Sequence, residues 1–507
     1  MNINLIDSFE QTVRRLPEKT AVRHREEEIR FLELWNRAKI LGVLLAERIH
    51  YSRNSPIAVF LPKEIDAVVA DLGILYSANP FMNLDVKMPP ERLLSILNQV
   101  QPMAVITNAK NVKKLPVSDC PVILMDDVDW ADAPANCELL DRKRASLIDT
   151  DPFCLINTSG STGTPKAVIL NHRSFFDFMA VSNESFGFNG TEIMGSLSPI
   201  VFDIFDFELC MLMINGSQIV LLDAMLASFP ARLLETLQST GVNFIFWVPS
   251  IMVNIANMRL LERIPLPDLK LVWFAGEVFP TKQFLVWYDA LPQACFANLY
   301  GPIEITLDCT YYVVEQRPDE QEPLPIGIPY RNTDVLILNE ENRQCKPGEE
   351  GELCVRGTSL AMGYYNNPGK TSAAFTQNPL NTAYPELIYR TGDIVCMRED
   401  GNILFKGRKD NLIKHMGYRI ELDEIEHIIA NRLKLVKHCC AVYMQAEKQI
   451  VLFYENEEPV TDKAFRSEIS RVFPSYMVPS AFIQMDELPR NTNGKIDRLL
   501  LRQKANS

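Results

Sequence analysis

Apolar residues fall along this chain in two alternating rhythms. Unbroken runs such as Ile57-Ala58-Val59-Phe60-Leu61 and Ala104-Val105-Ile106-Thr107 have the length and β-branched character of buried strands. Residues 64–76, between them, carry apolar side chains at helical spacing, and residues 5–50 read as two amphipathic helices around a short strand. Strands and helices in alternation predict a parallel sheet covered by helices. Residues 109–150 are polar, acidic and proline-bearing, and read as loop with short elements. A second α/β unit is predicted from Arg173 to about Val314, with strands at 218–222, 244–248 and 269–273. Residues 315–325 form an acidic, proline-bearing surface connection, and short strands at 334–338 and 351–357 then predict a small β-subdomain. From about residue 411 the pattern becomes compact α+β for about a hundred residues, the size of a separate small domain.

One polar stretch interrupts two apolar runs, 153–156 and 167–170: Asn157-Thr158-Ser159-Gly160-Ser161-Thr162-Gly163-Thr164-Pro165-Lys166. The reading is strand, loop, strand. Glycines let a backbone approach an anion closely, successive N–H groups form an anion nest, hydroxyls add donors, and the lysine adds a point charge. Such a loop suits phosphate. It is not a P-loop of the GxxxxGK[ST] type, because the glycines are three apart and no helix follows. Isolated Ser/Thr/Gly/Pro loops are also common surface turns.

Composition narrows the classes. The chain has 507 residues, 47% hydrophobic and 23% charged, which fits a multi-core globular protein. A net charge of −13 argues against nonspecific nucleic-acid binding and against an acidic membrane surface. The start lacks a basic n-region with an apolar core, and the window 209–227 is too polar to span a bilayer. Eleven cysteines without a CxxC pair indicate neither a zinc site nor a redox motif, and Cys439-Cys440 reads as buried thiols. A cytoplasmic, reduced protein is expected.

Five further motifs follow in order: Ala275-Gly276-Glu277; Asn298-Leu299-Tyr300-Gly301-Pro302-Ile303-Glu304; Tyr389-Arg390-Thr391-Gly392-Asp393; Phe405-Lys406-Gly407-Arg408-Lys409-Asp410 through Gly417-Tyr418-Arg419-Ile420-Glu421-Leu422; and Asn493-Gly494-Lys495. Each alone is a turn or a solvated loop. Together with the phosphate loop, the ordered set resembles the adenylate-forming superfamily of acyl-CoA synthetases, luciferases and adenylation domains of nonribosomal peptide synthesis, over roughly residues 5–502. The whole-chain pattern is most similar to stand-alone amino-acid–carrier ligases, D-alanine–carrier ligases among them.

The resemblance implies an α/β fold: a large N-terminal domain (1–409) of two α/β subdomains and a small β-subdomain, and a small mobile C-terminal α+β domain (410–507). It implies ATP and Mg²⁺. Thr158, Ser159, Gly160, Ser161, Thr162, Gly163 and Lys166 would grip phosphate. Gly276 and Glu277 would border the adenine, with Asn298, Leu299, Tyr300, Gly301, Pro302 and Ile303 beside it. Glu304 would hold the metal, Asp393 and Arg408 would hold the ribose, and Phe405 would complete the nucleotide site. Ile303 stands where the family has threonine, and isoleucine cannot donate a hydrogen bond to the α-phosphate. Asp410 would be the hinge and Lys495 the catalytic lysine. The amino-acid pocket would comprise Asp203, Ile204, Phe207, Phe246, Trp273, Ala275, Leu299, Leu307 and Asp308. Asp203 would pair with the substrate ammonium, and the large aromatics would leave room for a small amino acid. Asp206 and Glu208 read as solvated helix carboxylates, and Asp308 as solvent-facing; turned inward, Asp308 would favour a hydroxyl or a second amine. The chain ends twelve residues after Lys495 without a carrier segment, so a phosphopantetheinylated carrier protein is expected in trans. The alternatives are an acyl- or aryl-CoA synthetase, against which Asp203 speaks, and a degenerate nucleotide-binding homologue, which Ile303 keeps open.

Overall fold

A computed structural model of the protein describes residues 3–48, 53–117, 120–131, 137–160, 165–445, 447–490 and 496–505. Among them the large domain holds two mixed sheets. The seven-stranded sheet runs Gly363–Tyr364, Lys166–Asn171, Pro152–Thr158, Phe81–Asn83, Ile57–Val59, Val105–Thr107, Val122–Leu124. The nine-stranded sheet has a parallel centre of Cys295–Tyr300, Leu271–Ala275, Phe244–Trp247, Ile193–Ser196, Gln218–Leu221 and Thr20–His24. The first residues therefore depart from the expectation of one short strand. They form two strands, Thr20–His24 and Glu27–Arg30, which extend the edge of the second unit's sheet. Within the stretch read as loop with short elements, residues 137–146 fold as the helix Cys137–Ser146.

The helix Ile65–Tyr76 is buried on every side except at Asp66 and touches strands of both sheets. A helix with no polar face must lie between layers. Its residues belong to a continuous apolar cluster that draws on both units.

A smaller sheet, built from Thr333–Leu338, Glu350–Gly357, Leu387–Met397, Phe375–Gln377 and Ile403–Arg408, completes the large domain. The small C-terminal domain opens with a hairpin, Leu412–His415 paired to Tyr418–Glu421. Among the described residues its core is a three-stranded sheet of His438–Met444, Gln449–Glu455 and Ala481–Gln484. Adjacent strand residues point to opposite faces. Cys439 accordingly joins the cluster under the helices Leu422–His427 and Asp462–Ile469, and Cys440 the cluster under Arg498–Ala505.

Where the large domain's sheets meet, the Gly327 carbonyl accepts from the Ile403 N–H at 2.9 Å, the Ile326 N–H donates to the Ile403 carbonyl at 2.8 Å, and Thr310 Oγ1 donates to the Ile326 carbonyl at 2.6 Å. Gly327 has φ +88, and a Cβ there would lie 1.9 Å from the Tyr311 carbonyl oxygen. Only glycine fits. Gly327→Ala should therefore combine backbone strain with overpacking and cost about 3 kcal/mol or more of large-domain stability, read as a lowered unfolding midpoint. A midpoint unchanged from wild type would mean that this junction is soft.

Candidate active site

The strands Pro152–Thr158 and Lys166–Asn171 are antiparallel, and Thr158 opposite Lys166 closes the ladder where the phosphate-loop sequence begins and ends. Thr158, Ser159, Gly160 and Lys166 lie at its base. Ser161, Thr162 and Gly163 lie outside the described residues. The base of the loop meets the small domain. Lys166 Nζ is 2.9 Å from Glu421 Oε1 and 5.2 Å from the ring centroid of Tyr364. The Ser159 hydroxyl donates to the Arg419 carbonyl at 2.8 Å and accepts from the Glu421 N–H at 3.1 Å. Gly160 N–H donates to Glu424 Oε2 at 3.3 Å, and Glu424 Oε1 pairs with Arg92 at 2.8 Å.

Glu304 sits on the short helical turn Ile303–Ile305 with 0% exposure. The Tyr364 hydroxyl donates to it at 2.8 Å, and Arg419 Nη1 lies 2.7 Å from its other oxygen. Burial alone would raise its pKa, but Arg419 and Lys166 outweigh that and hold it down to about 2. Such an ionised carboxylate suits a hard divalent cation. Among the described residues no group of three or more His, Cys, Asp or Glu could hold a metal unaided. A magnesium ion here would take its remaining oxygens from phosphate and water, which is its habit.

Beside this, a cavity of about 390 Å³ is lined by Gly276, Glu277, Asn298, Leu299, Tyr300, Asp393, Phe405 and Arg408 among others. Tyr300 donates its hydroxyl hydrogen to Asp393, and Arg408 pairs with the other oxygen of the same carboxylate. Arg408 also grips Asp410 through two bonds of 2.6 and 2.8 Å. Glu277 bridges the domains, accepting from Ser250 N–H at 2.9 Å and Gly417 N–H at 2.8 Å.

The adjoining cavity, about 170 Å³, is lined by Asp203, Ile204, Phe246, Ala275, Gly301, Pro302, Ile303, Leu307 and Asp308, with further residues at its rim. Gly276, Asp393, Arg408, Leu412 and Lys414 line both cavities, so the two are lobes of one cleft.

Three residues expected in this pocket do not line it. Phe207 lies four residues beyond Asp203 on the helix Asp203–Cys210, about one turn deeper. Trp273 lies two residues before Ala275 on its strand, about 7 Å farther from the cleft. Their rings stack at 5.3 Å behind Phe246, which meets both edge-on at 5.7 and 5.4 Å. Phe186, Phe188 and Phe244, unmarked in the sequence, close the same block around Trp273. Leu299 lines the larger lobe instead.

The carboxylates also need correcting. Asp308 does not face solvent: it is 4% exposed and lines the smaller lobe. Thr306 and Leu307, with φ of 55 and 66, turn the chain so that the backbone at 307–308 packs on Gly301. A Cβ on Gly301 would lie 2.2 Å from the Leu307 oxygen, so this glycine lets Asp308 enter. Asp206 and Glu208 are buried as well. Asp206 accepts from the Cys154 thiol, and Lys63, which donates to the Ser196 and Ser198 carbonyls, faces Glu208. Burial raises the Asp203 pKa to about 6, against the pull of Lys414. Burial, with Asp203 adding to it, pushes Asp308 well above the usual carboxylate range.

Sequence reasoning missed the cleft-facing side of the hairpin. Leu412 faces Glu421, and Lys414 faces Arg419, while Ile413 and Ile420 between them join the small domain's core. The alternation of period two was the available signal. Arg92 and Glu424 offered none. Lys495 lies outside the described residues; of those beyond Met477, only Arg502 lines either lobe.

No helix among the described residues is long and apolar enough to cross a membrane. The chain is 28% identical over 503 residues to zwittermicin A synthase ZmaJ of Bacillus cereus, covering 97% of this chain and 93% of that protein. It is 30% identical over 503 residues to gramicidin S synthase 2 of Brevibacillus brevis, covering 99% of this chain but only 11% of that one. In fold it is similar to the Vibrio cholerae adenylation domain AlmE, with TM-score 0.85 at 21% identity over 100% of this chain and 98% of that one. The adenylation and carrier protein PA1221 gives 0.83 at 22% identity, covering 99% and 84%. Residues 9–365, most of the chain and the whole phosphate-loop side of the cleft, match the AMP-binding enzyme family, and the chain belongs to that family within the adenylate-forming superfamily.

Proposed function

We propose that the protein activates a small hydroxyl-bearing amino acid, serine foremost, as its aminoacyl-AMP, and then passes the acyl group to the phosphopantetheine thiol of a separate carrier protein. The observation that carries this is the pairing of Asp203 and Asp308 in one small lobe floored by Phe246. A substrate ammonium entering such a lobe needs an anion, and Asp203 supplies it. Burial favours the neutral form of Asp308, which suits a hydroxyl better than a second charge, which would have to be desolvated too. The structure of AlmE holds glycyl-adenosine-5'-phosphate, and that of PA1221 joins adenylation and carrier domains; both accord with this reading.

In the first half-reaction the substrate carboxylate attacks the α-phosphorus and pyrophosphate leaves. Thr158, Ser159, Gly160 and Lys166 hold the leaving phosphates, and Tyr300, Asp393 and Arg408 the nucleoside. Glu304 would hold magnesium, which neutralises phosphate charge when bound. Lys495, by the family resemblance, bridges the two anions as they meet. In the second, the thiol attacks the acyl carbonyl and AMP leaves. The small domain turns about Asp410 between the two.

ATP–pyrophosphate exchange over an amino-acid panel tests the reading. Serine should lead, and Asp308→Leu should cost it about tenfold to a hundredfold relative to alanine, the loss of one buried hydrogen bond. Preference for phenylalanine, tryptophan or an acid without an amine would overturn the pocket assignment.

The free-enzyme pKa of Asp203, about 6, sets a pH dependence. The carboxylate must be ionised to pair, so kcat/KM for the amino acid should fall as pH drops through about 6. A flat profile from about pH 5 to 8 would remove Asp203 from amine recognition. Lys495→Ala should nearly abolish adenylation yet spare acyl transfer from supplied aminoacyl-AMP, because its charge is needed only while two anions meet. Equal loss in both steps would refute its role.

A further inference from the structure

The groups that should hold pyrophosphate are held here by the protein itself. Lys166 carries the Glu421 carboxylate at 2.9 Å, and the Gly160 N–H carries that of Glu424 at 3.3 Å. Ser159 is bonded on both sides to the backbone of residues 419 and 421. Arg419 sits on Glu304, the carboxylate assigned to magnesium, at 2.7 Å. Two carboxylates and a guanidinium of the small domain thus match, in sign and place, what two phosphates and a divalent cation would present to the same groups. All come from the segment 419–424, which spans the hairpin's second strand and the start of the next helix.

Glu424 is the least expected member. It is fully buried, and Arg92 on the helix Pro90–Val100 fixes it at 2.8 Å. Arg92 belongs to the large domain, so the pair ties the domains together as Glu424 reaches the loop. A buried carboxylate carries a large desolvation penalty unless paired, and its two partners here are the phosphate loop and Arg92.

We propose that Glu421 and Glu424, with Arg92 behind Glu424, are positioning residues that engage Lys166 and Gly160 at the ends of the phosphate loop and so hold the small domain in its present orientation, in competition with pyrophosphate. The proposal rests on the adenylate-forming reading. Its consequence is order: the two domains cannot adopt this arrangement while pyrophosphate occupies the loop, and pyrophosphate returning to the loop must displace both carboxylates. Release of the first product and commitment to the second geometry become one event. The coupling is a competition for the same donors and needs no longer path.

Equilibrium binding of inorganic pyrophosphate to the full-length protein, with no amino acid or carrier present, tests this by calorimetry. Glu421→Gln and Glu424→Gln should each bind pyrophosphate about tenfold more tightly than wild type, since a competing charge-assisted hydrogen bond is lost. Arg92→Gln decides between capture and simple field effects. Removing a positive charge near an anion site weakens binding by field alone, whereas loosening Glu424 strengthens it. Tighter binding by Arg92→Gln is therefore the expected result. Binding equal to or weaker than wild type in Arg92→Gln, or unchanged affinity in both glutamate variants, overturns the proposal. Amino-acid-dependent exchange is measured separately on wild type. Absence of exchange would sink the functional reading while leaving the pyrophosphate titrations to be judged by themselves.

Discussion

Glu304 is a carboxylate with no access to water, and its charge must be matched at every moment. A buried anion left alone costs several kcal/mol or more. In the arrangement seen here the match is Arg419, with Tyr364 completing the hydrogen bonding. Tyr364 can reach because its short strand adds to the edge of the phosphate-loop sheet. Arg419 can reach because the hairpin turns its polar side into the cleft. Arg419 on this unsolvated charge is thus one of the contacts that place the small domain, beside the Lys166–Glu421 and Arg92–Glu424 pairs.

The hairpin does two jobs through a single alternation. Ile413 and Ile420 anchor it to the small domain, while Lys414, Arg419 and Glu421 project into the cleft. A strand gives this division without extra structure, because successive side chains leave opposite faces. The anchored side makes the projecting side move as a rigid set. Charges delivered together must also leave together.

Much of this was legible in the sequence. Alternating strand and helical rhythms gave the α/β class, and the phosphate loop stood out by composition between two apolar runs. What was not legible was depth. Phe207 and Trp273 carry the same aromatic character as Phe246, yet one helical turn or two strand residues takes them behind it. Asp308, Asp206 and Glu208 are of residue types that ordinarily mark the surface; they pack here against Gly301, Cys154 and Lys63, none of which the local pattern singles out as a partner. Arg92 and Glu424 lie 332 positions apart and make one pair. Such partners become visible only after folding.

The aromatic block beneath the small lobe has a consequence for how the pocket can change. Phe186, Phe188, Phe207, Phe244 and Trp273 interlock, some edge to face and the others stacked or tilted. The Trp273 indole N–H is the sole polar group on these five side chains, and it has no hydrogen-bond partner. Truncating Phe207 or Phe244, both fully buried, would open a dry hollow rather than a longer hydrated pocket, because a trapped water needs at least about two polar partners. The hollow would welcome an inert gas atom or a benzene-sized guest before it welcomed a larger polar side chain. Altered selectivity would thus have to come from the residues that line the lobe, the two aspartates among them, while the aromatic block beneath behaves as bedrock.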